Sequence, residues 1–253
     1  MDILYDCRWS FEIDEKFIDD FLSIRNLVFF PSIATKDRFT TRFISNIYGP
    51  SLLVVAYQNR RAVGARSFWR NDVGSCVAYQ PGDTSVLSEY RNRGIFYEMT
   101  RIALDNIKEP AIVYNFPNEK SLPGYLKMGW KIQSTYKTRA SISLNEYIKE
   151  KKEIIESDYA KWWLLSKANG FEVIHSNRKY FLIKRRGVFR YSIVGELNHC
   201  FEYSVIRPYL SIYQFLSKKE TFYNKKRRAL NVVIYNKNCS IVPEIPLYKI
   251  DAL

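Results

Sequence analysis

Between Ser75 and Phe116 the pattern of apolar residues passes from a period of two, to a helical period, and then to a buried strand-sized apolar run, which restricts the fold more than any other feature of the chain. Ser75 to Gln80 and Asp83 to Leu87 are extended pieces interrupted by Pro81-Gly82, and this predicts a bent or bulged strand. Ile95, Met99, Ile102, Ala103 and Ile107 then share one face of a helix that stops at Pro110. Ala111-Ile-Val-Tyr-Asn-Phe116 follows as a buried strand. Strand, glycine turn, helix and strand make a βαβ unit, whose crossover implies a parallel pair with the helix on the sheet face.

The helix opens at Arg91-Asn92-Arg93-Gly94-Ile95-Phe96. Amides of a first helical turn lack intrahelical partners and point along the positive end of the dipole, so an anion fits there. Gly94 permits close backbone approach, and Arg91 and Arg93 add charge suited to a pyrophosphate. Taken alone, the pattern is equally a capped helix start with exposed arginines. A second segment lies downstream: Asn118 ends the β run, Tyr125 lies seven residues on, Lys127 nine, Gly129 eleven and Trp130 twelve.

Together these segments resemble the Gcn5-related N-acetyltransferase (GNAT) superfamily. Its pattern is Arg/Gln-x-x-Gly-x-Gly/Ala after a bulged strand, then Asn, a short helix carrying Tyr, and a terminal Gly-Phe. Arg91, Gly94, Asn118, Tyr125 and Gly129 match, and Trp130 stands where the aromatic does. The resemblance covers about residues 1–140. It implies an α+β fold, layered α/β/α, with a mixed and mostly antiparallel twisted sheet around a central parallel pair. It also implies acetyl-CoA, or another acyl-CoA, as cosubstrate without a metal, lying in a V opened between the fourth and fifth strands.

On the same resemblance, pantetheine pairs with the backbone of Val86, Leu87 and Ser88. Arg91, Asn92, Arg93, Gly94, Ile95 and Phe96 take the pyrophosphate, and Asn118 and Ser121 complete the cofactor site. An acceptor amine, deprotonated by a side chain or through water, attacks the thioester carbonyl; Tyr125 protonates the departing thiolate. Asp83 is the first candidate for a general base and Glu89 the second, although the plainer reading of each is a turn or surface carboxylate. In a chain with 19 tyrosines, a packing role is the plainer reading of Tyr125 as well. Two departures stand out. Phe96 replaces a small residue, which sets the helix start slightly farther from the pyrophosphate, and Pro123-Gly124 predicts an irregular short helix before Tyr125.

Upstream, Ile3 to Tyr5 reads as a first strand, and Asp14 caps a helix to about Phe30 with Phe17, Phe21, Ile24 and Val28 on one face. A second helix is expected from Thr35 to Tyr48, ended by Gly49-Pro50. Ser51 to Tyr57 and Ala62 to Arg70 form a hairpin around Gln58-Asn-Arg-Arg61. Downstream of about residue 140, a polar helix from Leu144 to Glu156 precedes strands at Phe171 to His175, Tyr180 to Lys184 and Val188 to Val194. A helix from about Tyr203 to Lys218 and a strand from Ala229 to Tyr235 follow. That order repeats the middle of the first half, so residues 141–253 are expected to be a degenerate GNAT-like half that shapes the acceptor cleft. It has His199-Cys200-Phe201-Glu202 where the phosphate turn would stand, and Glu202 would repel phosphate.

With 253 residues and 47% hydrophobic content the chain can bury a real core. Cys7, Cys76, Cys200 and Cys239 lack a Cys-x-x-Cys pair, and His175 and His199 are too few for a metal cluster, which argues against structural zinc or a disulfide framework. The acidic start and strand-sized apolar runs predict a soluble, cytoplasmic protein without a membrane partner. A net charge of +13 favours an acidic partner. The clusters Lys184-Arg185-Arg186 and Lys225-Lys226-Arg227-Arg228 are most simply solvated surface. Two other readings stand beside acyl transfer: a basic nucleic-acid-binding module, which explains the charge but not the Asn-to-Tyr spacing, and a GNAT-like protein without catalysis. The acceptor class is open among amino sugars, polyamines, antibiotics and protein amines, with a mild preference for an anionic one.

Overall fold

A computed structural model describes residues 2–150, 154–165, 170–198, 205–206, 211–219 and 229–249. The chain is α+β and divides into two compact units, Met1–Lys131 with Val233–Pro243, and Ile132–Val232 with Glu244–Leu253.

The first unit is built on a sheet of β1 (Leu4–Trp9), β2 (Leu52–Gln58), β3 (Arg61–Arg70), β4 (Ala78–Val86) and β5 (Ala111–Asn115), joined by residues Val233 to Lys237 of the late strand. Every neighbouring pair is antiparallel except β4 and β5, which run parallel. Leu52 to Ala56 are at most 1% exposed, so β2 is covered on both faces; a continuous apolar run is what such a strand requires. Gln58 pairs with Arg61, and Asn59 and Arg60 between them have φ of 52° and 64°, the two left-handed residues of a tight hairpin turn.

Helix α1 (Glu15–Val28) is capped by Asp14, whose carboxylate accepts from the Phe17 amide, and buries Phe17, Ile18, Phe21, Leu22 and Ile24. The helix expected from Thr35 to Tyr48 differs. It is α2 (Lys36–Phe39) continued by a π-helical turn over Thr40–Ile44, closed by the Ser45 amide on the Thr40 carbonyl at 2.8 Å. Arg42 and Phe43 in this wider turn are buried, and Phe39 and Phe43 pack edge-on against Phe21.

The two extended pieces around Pro81-Gly82 are one strand, β4, carried through a register shift opposite Ala65 to Ser67, with Asp83 at φ 48°. β4 and β5 pair at Ala78 with Ile112 and at Tyr79 with Val113. β5 ends at Asn115, while β4 continues on β3 to Val86. The parallel strands therefore share only their first part. Helix α3 (Ile95–Asn106) crosses between them and buries Ile95, Met99, Thr100, Ala103 and Leu104; α4 (Leu122–Lys127) follows β5.

In the second unit, β6 (Lys131–Ser141), β12 (Ile212–Ser217), β10 (Arg190–Leu197), β9 (Lys179–Gly187), β8 (Phe171–Ser176) and β11 (Val205–Ile206) are sheet neighbours in that order, and β7 (Ile154–Ile155) pairs with β10. The late strand is β13 (Ala229–Lys237), and α5 (Leu144–Glu150) and α6 (Ser157–Tyr159) are short. Leu144, Tyr147, Phe181, Ile183, Tyr191, Ile193 and Phe215 form its core. The helix expected from Tyr203 to Lys218 is corrected: Ile212–Ser217 is a strand, parallel to β10 and antiparallel to β6. Ile-Tyr-Gln-Phe-Leu-Ser, with Ile212, Tyr213 and Phe215 beside Gln214 and Leu216, can serve a strand or a helix, and pairing on both sides decides the outcome. Within that span the described residues, 205–206 and 211–218, hold no helix, and the expectation over 203–204 and 207–210 lies outside the described residues. His199, Cys200, Glu202 and the cluster at residues 225–228 lie outside the described residues. Among those described, no helix is long and apolar enough to cross a membrane.

Candidate active site

The turn ahead of α3 places Gly94 at the helix N-cap with φ 77°, preceded by Asn92 at φ 61°. An L side chain is strained in that region, and no atom stands within 4 Å of where a Gly94 Cβ would be, so the approach to the helix mouth is open. The first helical bond runs from the Glu98 amide to the Gly94 carbonyl, which leaves the amides ahead of it at the open, positive end. Arg91 Nε donates to the Val86 carbonyl at 3.1 Å and ties the turn to the end of β4; the Arg93 guanidinium lies over the Tyr90 ring. Leu87 is buried with its amide on the Val63 carbonyl, Ser88 begins a short 3-10 turn, and Ile95 is buried below the mouth.

Asn118 and Ser121 build the start of α4. Asn118 Oδ1 accepts from the amides of Lys120 and Ser121 and from the Ser121 hydroxyl, while the Asn118 carbonyl takes the Leu122 amide. Pro123 falls in the first turn, where its missing N–H costs nothing, so the helix is regular before Tyr125, contrary to the expectation. Gly129, at φ 84°, ends it.

Tyr125 is 2% exposed, with its ring edge-on to Phe96 at 5.6 Å and to Trp130 at 4.7 Å between centroids. Its hydroxyl oxygen accepts from Arg66 Nη2 at 2.8 Å and from Asn115 Nδ2. Asn115 Oδ1 accepts from the Phe116 backbone amide at 2.8 Å, which fixes the orientation of the Asn115 side-chain amide. A phenol has two acceptor positions and one proton. With both positions filled by N–H donors, the Tyr125 proton is left to be donated away from them.

Sequence reading missed Arg66 and Asn115. The available signals were a charged residue inside the apolar run Ala62-Val-Gly-Ala-Arg-Ser-Phe-Trp69, and an Asn closing β5 three residues before Asn118.

The two departures from the family pattern are one contact. A Cβ on Gly124 would stand 3.2 Å from Phe96 Cε1, so the large ring at 96 is accommodated by the absent side chain at 124. Gly124→Ala is expected to destabilise the first unit by about 1 kcal/mol through overpacking. In a Phe96→Ala background the same change should become neutral or stabilising, because Ala is then the better helix former. Urea unfolding of the four chains reads the sign reversal.

Asp83 belongs to a different set. Its carboxylate accepts from Arg25 Nε at 3.4 Å, Arg42 Nη1 at 3.1 Å and the Ser67 hydroxyl at 3.4 Å, while Arg42 stacks on Trp69 at 4.0 Å. Thr84, the next residue, accepts from Arg66 Nη1 at 2.8 Å. The bulge thus holds two arginines, Arg25 and Arg42, through Asp83 and a third, Arg66, through Thr84. Glu89 is exposed and lies 3.7 Å from Arg61; bonds from its own backbone N–H and from the Ser88 hydroxyl hold its carboxyl below the usual range, which makes it a poorer proton acceptor. Among the described residues, no group of three or more His, Cys, Asp and Glu side chains converges.

No family model matches the sequence, and no curated protein matches it. Among solved structures, a conserved protein of unknown function from Enterococcus faecalis superposes with a TM-score of 0.62 at 11% identity, covering 92% of this chain and 73% of that one. A GCN5-related N-acetyltransferase from Kribbella flavida gives 0.54 at 12%, covering 91% and 72%. Eis1 from Mycobacterium abscessus gives 0.53 at 10%, covering 84% and 65%. At these identities the likeness speaks for the fold: the chain has the fold of the Gcn5-related N-acetyltransferases.

Proposed function

We propose that the chain transfers an acyl group from acyl-CoA, acetyl-CoA in the first instance, to the amine of a small-molecule acceptor. The observation that carries the reading is the Tyr125 hydroxyl, buried and with both acceptor positions filled, on the helix that follows β5. The open helix mouth at Gly94 fits a pyrophosphate, and the parting of β4 from β5 opens the segment Val86, Leu87 and Ser88 to pantetheine on the side away from β3, whose Val63 carbonyl already takes the Leu87 amide. The acceptor nitrogen attacks the thioester carbonyl, the C–N bond forms and the C–S bond breaks with its electron pair on sulfur. Tyr125 gives its proton to that sulfur, and the proton lost by the amine restores the phenol through solvent. The basic surface favours an anionic acceptor such as a phosphorylated or nucleotide-linked amino sugar, and the cytoplasm supplies both reactants.

Two measurements test this. Acetyl-CoA at about 100 times its Kd should stabilise the protein by about 2.7 kcal/mol. Thiol release, followed with a chromogenic disulfide, should then depend on one class within a panel of amino sugar phosphates, polyamines and peptides. Stabilisation with no thiol release across the panel would point to a fold that has lost its chemistry. Salt-dependent oligonucleotide binding without acetyl-CoA stabilisation would favour a nucleic-acid module.

A further inference from the structure

Two buried arginines flank the β3–β4 bulge, and they are not equivalent. Arg42 has the Asp83 carboxylate. Arg66, on β3 at 0% exposure, has no carboxylate partner among the described residues, and its Nε has no hydrogen-bond partner. Its other nitrogens donate to Tyr125 Oη and Thr84 Oγ1, and its guanidinium lies over the rings of Phe96 at 4.5 Å and Phe68 at 5.2 Å. Ring faces attract a cation but do not neutralise it. A buried charge without a counter-ion is costly, and an apolar side chain of similar volume would fill the same space more cheaply.

We infer that Arg66 is a positioning residue for the acid step, retained for what it does to Tyr125 rather than for the fold. The inference rests on the acyltransfer reading. Arg66 and Asn115 together fill the lone pairs of the phenolic oxygen, so the hydroxyl can act only as a donor. As the C–S bond breaks and its electron pair moves to sulfur, the proton passes from Tyr125 to sulfur and negative charge grows on the phenolic oxygen. The Arg66 cation, already at 2.8 Å, meets that charge without rearrangement. When the phenol regains a proton from solvent, the same two donors direct it outward again.

The test measures thiol release from acetyl-CoA with the amine panel, together with thermal unfolding. R66M should lower kcat about 10- to 100-fold, the size of one charge-assisted hydrogen bond. Its KM for acetyl-CoA should stay within about twofold and its Tm should not fall. R66K, which keeps the charge but not the fork, should recover part of the loss. In a Y125F background R66M should cost nothing more, because the oxygen it serves is gone. An R66M chain that fails to fold or melts earlier, that keeps its kcat, or that loses as much in Y125F as in the wild type overturns the inference and leaves acyl transfer standing. A wild-type chain that releases no thiol with any amine overturns the acyltransfer reading, and this inference with it.

Discussion

Tyr125→Phe is expected to lower turnover of acetyl-CoA by about 10²- to 10⁴-fold, the contribution of a positioned general acid. Phe keeps the ring and its edge contacts with Phe96 and Trp130, so the walls of the site stay in place. The lost oxygen leaves Arg66 Nη2 and Asn115 Nδ2 without their acceptor. An orphaned buried donor costs about 1–3 kcal/mol, so the variant should also melt earlier. Chemistry and fold are separated by the cosubstrate: stabilisation by acetyl-CoA should persist in the variant, because the helix mouth at Gly94 and the edge of β4 do not involve the phenol. Lost turnover with retained stabilisation identifies Tyr125 as the acid. Unchanged turnover would reduce it to a packing ring with a buried hydroxyl.

The parts of this molecule that were legible in the sequence are those set by local periodicity and by backbone conformation. The change of period around Arg91 to Gly94 marks the βαβ crossover because a helix and a strand need different spacings, and Gly94 marks the left-handed N-cap because other residues are strained there. Asn59 and Arg60 show the opposite case: the hairpin was legible from its spacing, although neither residue is the glycine such a turn favours. What stayed hidden depends on distant partners. Arg66 looks like an interruption of an apolar strand until α4 brings Tyr125 to it. Phe96 and Gly124 look like two separate departures because their fit exists only across the contact between α3 and α4. Ile212 to Ser217 has a composition that serves either period, and its strand state is decided by β6 and β10. Asn118 matched the family position, yet its side chain is occupied in starting α4, and the amide that reaches the phenol belongs to Asn115.

Asp83→Ala is expected to destabilise the first unit by about 3–5 kcal/mol, the cost of leaving buried charge uncompensated. The loss should appear as a fall in melting temperature on the order of 10 °C. Arg25 and Arg42 approach its carboxylate from α1 and from the π-helical turn, and their side chains are 11% and 5% exposed against 14% for Asp83. One carboxylate therefore pins two helical segments to the bulge of β4. An amine's proton would have to displace a guanidinium to reach it, which is why the position reads as a fastening of the fold rather than as a general base. Removing the fastening with its cation is the informative comparison. Arg42→Met alone should cost less than Asp83→Ala, and adding Arg42→Met to Asp83→Ala should recover part of the lost stability, because a buried cation that has lost this carboxylate leaves with it. The base reading makes the opposite demand: Asp83→Asn should keep the melting temperature and abolish thiol release. A variant that melts early, and whose residual folded fraction still turns over acetyl-CoA in proportion, assigns Asp83 to the scaffold and leaves the acceptor's proton to water.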